Sequence, residues 1–481
     1  MTRARAGLAV LFAMSVSALV LRADMVGPPQ GQAARPNILL LFADDWGWPA
    51  AGATGDRVVR TPSFDRIARE GALFRHAFSA APSCTPSRAS ILTGRAVHAL
   101  EEGGNLHSAL PAKFAIYPDL LEKAGYTIGL TRKGWGPGDI KTVGRTRNPA
   151  GPPFAGFDEF LAKVPPGQPF AFWFGSQDPH RPYTLGSGAK AGLRAADVVV
   201  PPHLPDMPEV RNDLLDYYAE VERFDREVGE ILKTLESRQM LDSTLIVISG
   251  DNGMPFPRSK ANVYDAGSRQ TLAVRWPGRV TPGRVIDEFV VLTDLAPTFL
   301  EAAGLPVPAD MHGKSWLRLL AGESDAARDR VFLERERHAH VRKGNLSYPV
   351  RAVRTADFLY IRNLRPDRWP AGDPERVFSV GPFGDIDGGP TKDLLMSRRD
   401  DPAIRRFFDL ATAKRPAEEL YDLRTDPGQI VNVAGQPRYA ADQRELRASL
   451  DRWMRETGDP RATSDDDRWD RYPYFGAPAK P

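Results

Sequence analysis

The single cysteine of this 481-residue chain lies in a short segment whose residue types could support chemistry. Cys84 is followed by threonine, proline, serine and Arg88. Because proline is favoured in the first turn of a helix, the segment predicts a helix that begins near Cys84 and stops at Gly94. The free N–H groups of such a helix favour an anion, and Arg88 lies one turn further on. A buried cysteine that only fills the core would show the same pattern.

Acidic and amide side chains follow two apolar runs that predict buried strands. Asp44 and Asp45 come after the first run, and Asp251 and Asn252 come after another. Open α/β sheets bind ligands at the carboxyl ends of their strands, so these side chains are candidates for one site. They offer oxygen atoms only, which suit calcium or magnesium better than zinc. A solvated strand end is the alternative interpretation.

Buried strands alternate with helices through most of the chain, which predicts a mostly parallel sheet covered on both faces. Apolar runs of this kind occupy residues 37–43, 126–130, 170–174 and 244–249. From about residue 331 the pattern changes, and residues 350–355 and 358–363 predict a hairpin. We therefore expect an α/β domain over residues 35–330 and a smaller C-terminal domain, an antiparallel sheet with a packed helix, over residues 331–481.

The first 34 residues have the order of a secretory signal peptide followed by a linker. Arg3 and Arg5 precede an apolar run that ends at Leu21, and small and polar residues follow. The run is short for a membrane span, and no later segment is long and apolar enough. The net charge of +3, without a basic run, argues against nucleic-acid binding. We expect a periplasmic or secreted protein with no nucleic-acid partner and no membrane span once mature.

The segment around the cysteine resembles the cysteine-x-proline-serine-arginine signature of the sulfatase family. Residues 84–88 match that signature, and the seven residues after it continue the likeness. Within the family, residues 178–181, 251–257 and 347–351 resemble the heparan N-sulfatase (sulfamidase) branch. The likeness extends from residue 35 to about residue 433, and it implies an alkaline-phosphatase-like fold.

The resemblance also implies a complete active site. The nucleophile would be the hydrate of formylglycine, which a formylglycine-generating enzyme makes from Cys84. Calcium would be bound by Asp44, Asp45, Asp251, Asn252 and the mature residue 84. Three cations would hold the sulfate, namely Arg88, Lys133 and Lys260, and His180 would protonate the leaving atom. The substrate would be a sulfated sugar or glycan, and the protein would be a homodimer.

This chain departs from the family pattern at one position close to Lys133. Sulfatases usually carry lysine-x-histidine there, whereas this chain has Lys133, glycine and Trp135. Tryptophan cannot accept a proton, so His107 or His98 is expected to replace the missing base. The predicted substrate-binding residues are His98, His107, Trp135, His338 and Tyr348, with planar rings covering a sugar face. Lys260 stands where the sulfamidase branch has arginine, which weakens an assignment to N-sulfates.

Three functions fit these observations. The preferred one is hydrolysis of a sulfate ester or N-sulfate (sulfamate) on a carbohydrate by nucleophilic catalysis. A phosphoester hydrolase of the same superfamily is the second, but such enzymes typically use serine or threonine with two metals. A non-catalytic relative that binds sulfated glycans is the third, and Trp135 is the reason for considering it.

The signature generates a prediction about maturation. In a host that contains the converting enzyme, Cys84 should become formylglycine, because the proline and Arg88 of the recognised run are both present. Mass spectrometry of the intact peptide should show the loss of the thiol mass. An active protein whose residue 84 is still plain cysteine would show that the nucleophile is assigned wrongly.

Overall fold

The computed structural model describes residues 1–2, 35–378 and 381–478, so the predicted signal peptide lies outside the described residues. In chain order the strands are β1 (Asn37–Ala43), β2 (Ala72–Phe78), β3 (Ser108–Ala109), β4 (Thr127–Arg132), β5 (Gly138–Asp139), β6 (Phe170–Gly175), β7 (Thr244–Gly250), β8 (Arg269–Arg275), β9 (Arg284–Ile286), β10 (Val290–Val291), β11 (Arg330–Arg335), β12 (Val350–Thr355), β13 (Phe358–Asn363) and β14 (Glu418–Asp422).

The α-helices are α1 (Pro62–Glu70), α2 (Cys84–Thr93), α3 (Tyr117–Lys123), α4 (Phe157–Leu161), α5 (Ser187–Lys190), α6 (Pro208–Ser237), α7 (Asp265–Ser268), α8 (Leu295–Ala302), α9 (Leu317–Leu320), α10 (Pro390–Ser397), α11 (Pro402–Thr412), α12 (Ala440–Glu456) and α13 (Arg468–Arg471). Short 3₁₀ helices occupy Gly52–Thr54, Val97–Gly104, Ala195–Asp197, Leu241–Ser243, Leu292–Asp294, Pro437–Tyr439 and Pro460–Ala462. None of the described helices is both long and apolar enough to cross a membrane.

The larger sheet has the strand order β10-β2-β8-β7-β1-β6-β4, and β9 pairs with β2 beside β10. Strand β8 runs antiparallel to β2 and β7, whereas the other neighbouring strands of this sheet are parallel. The prediction of a mostly parallel sheet is confirmed. Its central strands β1, β6 and β7 are buried along their whole length, because helices cover both faces of the sheet.

Strand β1 illustrates how the two faces are filled. All seven of its residues are buried. Leu39 and Leu41 point into a hydrophobic layer with α1, α4, α6, α10 and α11. Ile38 and Leu40 point into the opposite layer, with α2, α3, α8 and α9. The period of two along the strand therefore supplies both layers from one apolar run.

The smaller sheet is antiparallel, with the order β11-β12-β13-β14. The predicted hairpin is confirmed, since β12 and β13 pair around residues 356 and 357. Helix α12 packs Leu446 and Leu450 against Val353 and Tyr360 on one face of this sheet. The residues from Pro36 to the C-terminus form one compact unit, and the division into two domains at residue 330 stays a prediction.

Two regions after residue 364 differ in how well the sequence predicted them. A loop was expected over residues 364–392, and the chain between β13 and α10 carries no other helix or strand among its described residues. The tail after residue 460 was expected to be irregular. It instead begins with a 3₁₀ helix and contains α13, in which Trp469 is fully buried.

Candidate active site

The ends of two neighbouring parallel strands bring four predicted ligands together. Strands β1 and β7 pair in parallel with Ala43 opposite Gly250, so the residues that follow each strand emerge side by side. The four side chains are all buried, and they are Asp44, Asp45, Asp251 and Asn252. This is the sheet edge at which ligands of α/β proteins bind.

Cys84 is the first residue of α2, and its side chain points into this group of carboxylates. Its Sγ atom lies 3.5 Å from Asp44 Oδ1 and 3.9 Å from Asp45 Oδ1. One ligand atom from each of Asp44, Asp45, Cys84 and Asp251 lies within 4.8 Å of the other three. The predicted helix is confirmed, and its C-cap Gly94 has a φ of 67°. Glycine suits that left-handed conformation.

The thiol of Cys84 is poorly suited to be a nucleophile without modification. Burial, together with the negative charges of Asp251 and Asp44, raises the pKa of the Cys84 thiol well above its usual range. The thiolate is the reactive form of cysteine, and almost none is present at neutral pH when the pKa is so high.

Close backbone contact between two loops holds the carboxylates in place. A Cβ atom on Gly47 would lie 2.8 Å from the Gly253 Cα atom, so the loops after β1 and β7 touch only because this residue is glycine. Asp45 has a φ of 71°, a left-handed conformation that costs energy for a residue with a side chain. Its N–H donates to Asp251 Oδ1 at 2.9 Å, which stabilises that conformation.

Arg88 is the fully buried counter-charge of this cluster. Its Nε atom donates to Asp251 Oδ2 at 2.7 Å, and its Nη1 atom donates to the backbone oxygens of Lys133 and Gly134, each at 2.9 Å. It lies 3.4 Å from Asp44 Oδ1 as well. In this structure Arg88 neutralises carboxylates and fixes the Lys133 loop, whereas the sequence predicted a sulfate contact.

Two lysines complete the charge balance. Lys133 Nζ donates to both carboxylate oxygens of Asp44, at 2.6 and 2.5 Å. Lys260 Nζ donates to Asp45 Oδ2 at 2.7 Å and lies 3.0 Å from Asp387 Oδ2. Burial alone would raise the pKa of Asp44, but the charges of Lys133 and Arg88 outweigh it and the pKa is lowered. The cluster is therefore a set of charged pairs, with the carboxylate of Asp44 ionised.

His180 comes from the loop after β6 and is the most accessible of the predicted catalytic residues named so far. Its Nδ1–H donates to the Arg181 backbone oxygen at 2.5 Å, which leaves Nε2 directed at the site, 3.8 Å from Asp45 Oδ2. The side chain is 37% exposed, so a bound substrate can reach it. The Asp44 N–H donates to the Asp178 oxygen at 3.0 Å and ties this loop to β1.

The donor set fits a hard cation. Asn252 donates from Nδ2 to Asp45 Oδ1 at 2.7 Å, and its buried Oδ1 atom has no hydrogen-bond partner among the described residues. A buried amide oxygen without a hydrogen-bond partner, beside three carboxylates, is a set of donors that suits calcium.

Two predicted aromatic contacts with substrate are wrong because both rings are buried. Trp135 is 4% exposed and packs in the layer that contains α2, α3 and α8. Tyr348 is fully buried, with the guanidinium groups of Arg335 and Arg342 at 5.3 and 5.6 Å from its ring. Neither ring has a face that a sugar could cover.

His98 is also not brought to the site. Its side chain is fully buried, with Nδ1 at 2.7 Å from Glu334 Oε2 and Nε2 at 3.1 Å from the Thr457 oxygen. Both ring nitrogens therefore have partners inside the protein. They connect the 3₁₀ helix Val97–Gly104, which follows α2, to β11 and to the end of α12. The predictions of His98 as substrate contact and as replacement base are corrected.

His338 and His107 lie next to the site in different ways. His338 Nδ1 is 2.8 Å from the hydroxyl of Ser83, the residue before Cys84, and burial lowers the pKa of His338 to about 3. This neutral ring positions Ser83. His107 is partly exposed, and burial together with the positive charges of Lys133, Arg337 and Lys260 lowers its pKa to about 4.

Sequence reasoning missed two residues that contact the carboxylate cluster. Asp387 pairs with Lys260, and it lies in the loop whose glycine- and aspartate-rich composition suggested only irregular structure. The hydroxyl of Tyr217 donates to the Asp45 backbone oxygen at 3.3 Å. Tyr217 belongs to the amphipathic helix α6, so its spacing indicated only a core position. The aspartates at 385 and 387, flanked by glycines, were the only sequence signal for Asp387.

Comparison with known proteins gives consistent family matches. The family model described as Sulfatase matches residues 36–137 and 153–305, and the model described as N-sulphoglucosamine sulphohydrolase, C-terminal, matches residues 258–373. The chain is 31% identical to N-sulphoglucosamine sulphohydrolase of Homo sapiens over 89% of this chain and 91% of that protein. It is 28% identical to an ulvan-active sulfatase of Formosa agariphila over 88% of this chain and 76% of that protein.

Solved structures agree on the fold. A protein in complex with its substrate D-glucosamine-2-N,6-O-disulfate aligns with a TM-score of 0.63 and 19% identity over 90% of this chain and 99% of that chain. The phosphonate monoester hydrolase of Agrobacterium radiobacter aligns with a TM-score of 0.62 and 17% identity over 88% of this chain and 96% of that chain. At these identities the likeness confirms the alkaline-phosphatase-like fold alone.

The buried cluster generates a prediction about Asp251. Asp251→Ala should lower the free energy of unfolding by roughly 3–5 kcal/mol, because the buried guanidinium group of Arg88 loses its carboxylate partner. Calcium should raise the Tm of the wild-type protein, and the same change should abolish that rise. Thermal melts with and without calcium, after exhaustive chelation, measure both effects.

Asp265→Ala is the matched control, because it also removes a carboxylate paired with a buried arginine, Arg354, but outside the cluster. It should lower stability while keeping the calcium-dependent rise in Tm. An Asp251→Ala protein with the same calcium response as wild type would contradict a calcium site at this position.

Proposed function

Because the chain belongs to the sulfatase family, we propose that it hydrolyses a sulfate ester or an N-sulfate on a carbohydrate, using formylglycine at position 84 and calcium. One observation carries this proposal. Residue 84 opens α2 inside a cluster of Asp44, Asp45 and Asp251, with the ammonium groups of Lys133 and Lys260 on the same carboxylates. A sulfuryl-transfer site needs that combination of a nucleophile, a cation site and fixed positive charge.

The nucleophile we propose is not the thiol, whose raised pKa keeps it protonated. The hydrate of formylglycine would supply an oxygen that attacks sulfur. The four ligands Asp44, Asp45, Asp251 and Asn252 would hold calcium beside it, and calcium would supply Lewis-acid polarisation of a sulfate oxygen. Burial raises the pKa of the Asp251 carboxyl, and the guanidinium group of Arg88 opposes that shift and holds the carboxyl group in place.

The cations would bind the sulfate group. Lys133 and Lys260 are both protonated. In spite of burial, the carboxylate of Asp44 raises the pKa of Lys133. The carboxylates of Asp387 and Asp45 raise the pKa of Lys260 in the same way. Fixed charges in a site sheltered from water stabilise the charge that develops on the sulfate oxygens. With Nδ1–H bonded to the Arg181 oxygen, His180 would act as the acid in its doubly protonated form and give the proton on Nε2 to the leaving oxygen or nitrogen when the bond to sulfur breaks.

Regeneration of residue 84 then needs a base, and we propose His107. Thr85 donates to the Pro137 oxygen at 2.5 Å, and Gly138 pairs with Ser108, the residue after His107. Two hydrogen-bonded contacts and a few residues of chain therefore connect α2, which carries residue 84, to His107. Its pKa of about 4 leaves the ring neutral above pH 5, so a nitrogen can accept a proton there. His107 would take the place of the histidine that Trp135 replaces.

The substrate class follows from the relatives and from the cluster together. The likeness to N-sulphoglucosamine sulphohydrolase and to ulvan-active sulfatases supports a sulfated sugar or glycan. We also propose that a formylglycine-generating enzyme acts on the protein during maturation, that the protein is periplasmic or secreted, and that it forms a homodimer. The bond cleaved is S–O or S–N, because Lys260 would bind either kind of sulfate through charge.

A panel of substrates tests the proposal. Fully converted, calcium-loaded protein should release inorganic sulfate from N-sulfoglucosamine or from an O-sulfated sugar of the panel. The phosphate ester of the same sugar should react much more slowly, because the site has one metal position and no serine or threonine nucleophile at residue 84. Ion chromatography of the released anion separates the two products.

Faster release of phosphate than of sulfate would favour the phosphoester hydrolase instead. Tight binding of the sulfated sugars without release of any anion would favour the non-catalytic relative.

His107→Ala tests the regeneration step separately. The first transfer to residue 84 should proceed, but regeneration should stall, giving a burst of about one desulfated sugar per protein molecule followed by slow turnover. Rapid-quench kinetics measure the burst. His76→Ala is the control, because His76 lies on β2, where its ring is hydrogen-bonded to the Asp287 backbone oxygen and stacks on Phe289. Normal steady-state turnover by His107→Ala would show that the base is another group.

A further inference from the structure

Four aromatic rings from distant parts of the chain meet in one cluster, which we call the aromatic platform: His107, His340, Phe378 and Tyr474. His340 and Phe378 stack with ring centroids 4.5 Å apart and planes 16° apart. Tyr474 stands edge-on to both, at 5.6 and 6.0 Å, and its ring lies 5.1 Å from that of His107. The catalytic proposal uses only His107, so the other three rings have no assigned function.

The platform is open to solvent. Phe378 is 40% exposed, and His107, His340 and Tyr474 are all partly exposed. Single exposed aromatic residues are common on protein surfaces and need no explanation. A contiguous group of exposed rings, in contrast, is typical of a binding site. Trp135 and Tyr348, the two rings that the sequence favoured for this purpose, are buried, so the platform replaces them as the candidate surface.

One edge of the platform adjoins the nucleophile through the His107 loop. Thr85, the residue after Cys84, donates to the Pro137 oxygen, and the strand that starts at Gly138 pairs with Ser108. Ser108 follows His107 directly. The platform therefore begins within a few residues of residue 84, on the side of the site that Lys133 approaches.

The opposite edge adjoins the nucleophile through His338. Its ring contacts the Ser83 hydroxyl at 2.8 Å, and Ser83 precedes Cys84. His340 comes two residues later, and two residues of extended chain span about 7 Å at most. Short runs of chain and hydrogen bonds thus connect the platform to both neighbours of residue 84, Thr85 and Ser83.

The tail that carries Tyr474 is fixed against the rest of the protein. The buried guanidinium group of Arg337 donates to the backbone oxygens of Tyr472 and Pro473, both at 2.8 Å. The Phe475 N–H donates to the His107 oxygen at 2.7 Å. Tyr474 lies between these two anchored points, so its ring is held in position before any ligand arrives, which lowers the entropy cost of binding.

We propose that the aromatic platform is a carbohydrate subsite that holds the sugar ring linked to the sulfated sugar. A pyranose ring has faces of C–H groups that pack on aromatic rings, and partly polar rings such as tyrosine and histidine can also bond its hydroxyls. The inference rests on the proposed function, because it assigns a place to a second ring of the same substrate. The protein would accordingly prefer a sulfated oligosaccharide to a sulfated monosaccharide.

Tyr474→Ala tests this inference through the ratio of kcat/KM for a sulfated disaccharide to kcat/KM for the sulfated monosaccharide it contains. The ratio should fall about tenfold, as expected for the loss of one aromatic contact. Tyr474→Phe should keep the ratio because the ring remains. Tyr472→Ala is the matched control on the same tail, since Tyr472 is outside the platform, and it should also keep the wild-type ratio.

An unchanged ratio in Tyr474→Ala, or an equal loss for both substrates, would overturn the subsite. If Tyr474→Ala does not fold, Phe378→Ala is measured in the same way with the same expected fall. Calorimetric binding of both sugars to protein that retains Cys84 separates this inference from the proposed function. Weaker disaccharide binding in Tyr474→Ala, with no turnover by converted wild type, would support the subsite and reject the function.

Discussion

The charge balance of one buried cluster constrains the rest of this structure. Asp44, Asp45 and Asp251 are all buried, and each buried ion carries a desolvation cost of several kcal/mol unless it is well paired. Arg88 and two lysines supply the pairing, with contacts of 2.5–2.7 Å to the three carboxylates. The carboxylates come from β1 and β7, whereas the cations come from α2 and from the segments that follow β4 and β7. The strand order therefore brings these opposite charges together at the carboxyl ends of the strands.

The same balance explains how a stable protein can hold a reactive site. In the proposed mechanism the lysines that neutralise Asp44 and Asp45 would also bind the sulfate, so one set of groups would serve stability and catalysis. The smaller sheet contributes as well. The chain after β11 carries His338 to Ser83, beside the nucleophile, and the loop after β13 carries Asp387 to Lys260. Residues that contact the cluster, such as His338 and Asp387, are therefore far in sequence from β1 and β7, which carry its carboxylates.

The sequence was sufficient where structure depends on neighbouring residues. Continuous apolar runs predicted β1, β6 and β7, and the proline after Cys84 predicted the start of α2. It failed where a side chain's partner is remote. The partner of His98 is Glu334, 236 residues away, and nothing near His98 reveals that pair. Trp135 was assigned to a sugar because tryptophan suits either a core or a ligand, and only packing distinguishes the two. Asp387 was overlooked because loops carry no periodicity.

Oxidation of Cys84 to the nucleophile is tested most directly by relating the rate of turnover to the fraction of residue 84 that is formylglycine. Protein preparations with different fractions of formylglycine at residue 84, each measured by peptide mass spectrometry, would be compared for release of inorganic sulfate from a sulfated sugar. The rate per protein molecule should rise in proportion to the converted fraction and extrapolate to zero for plain cysteine. A rate that does not depend on the converted fraction would contradict the claim.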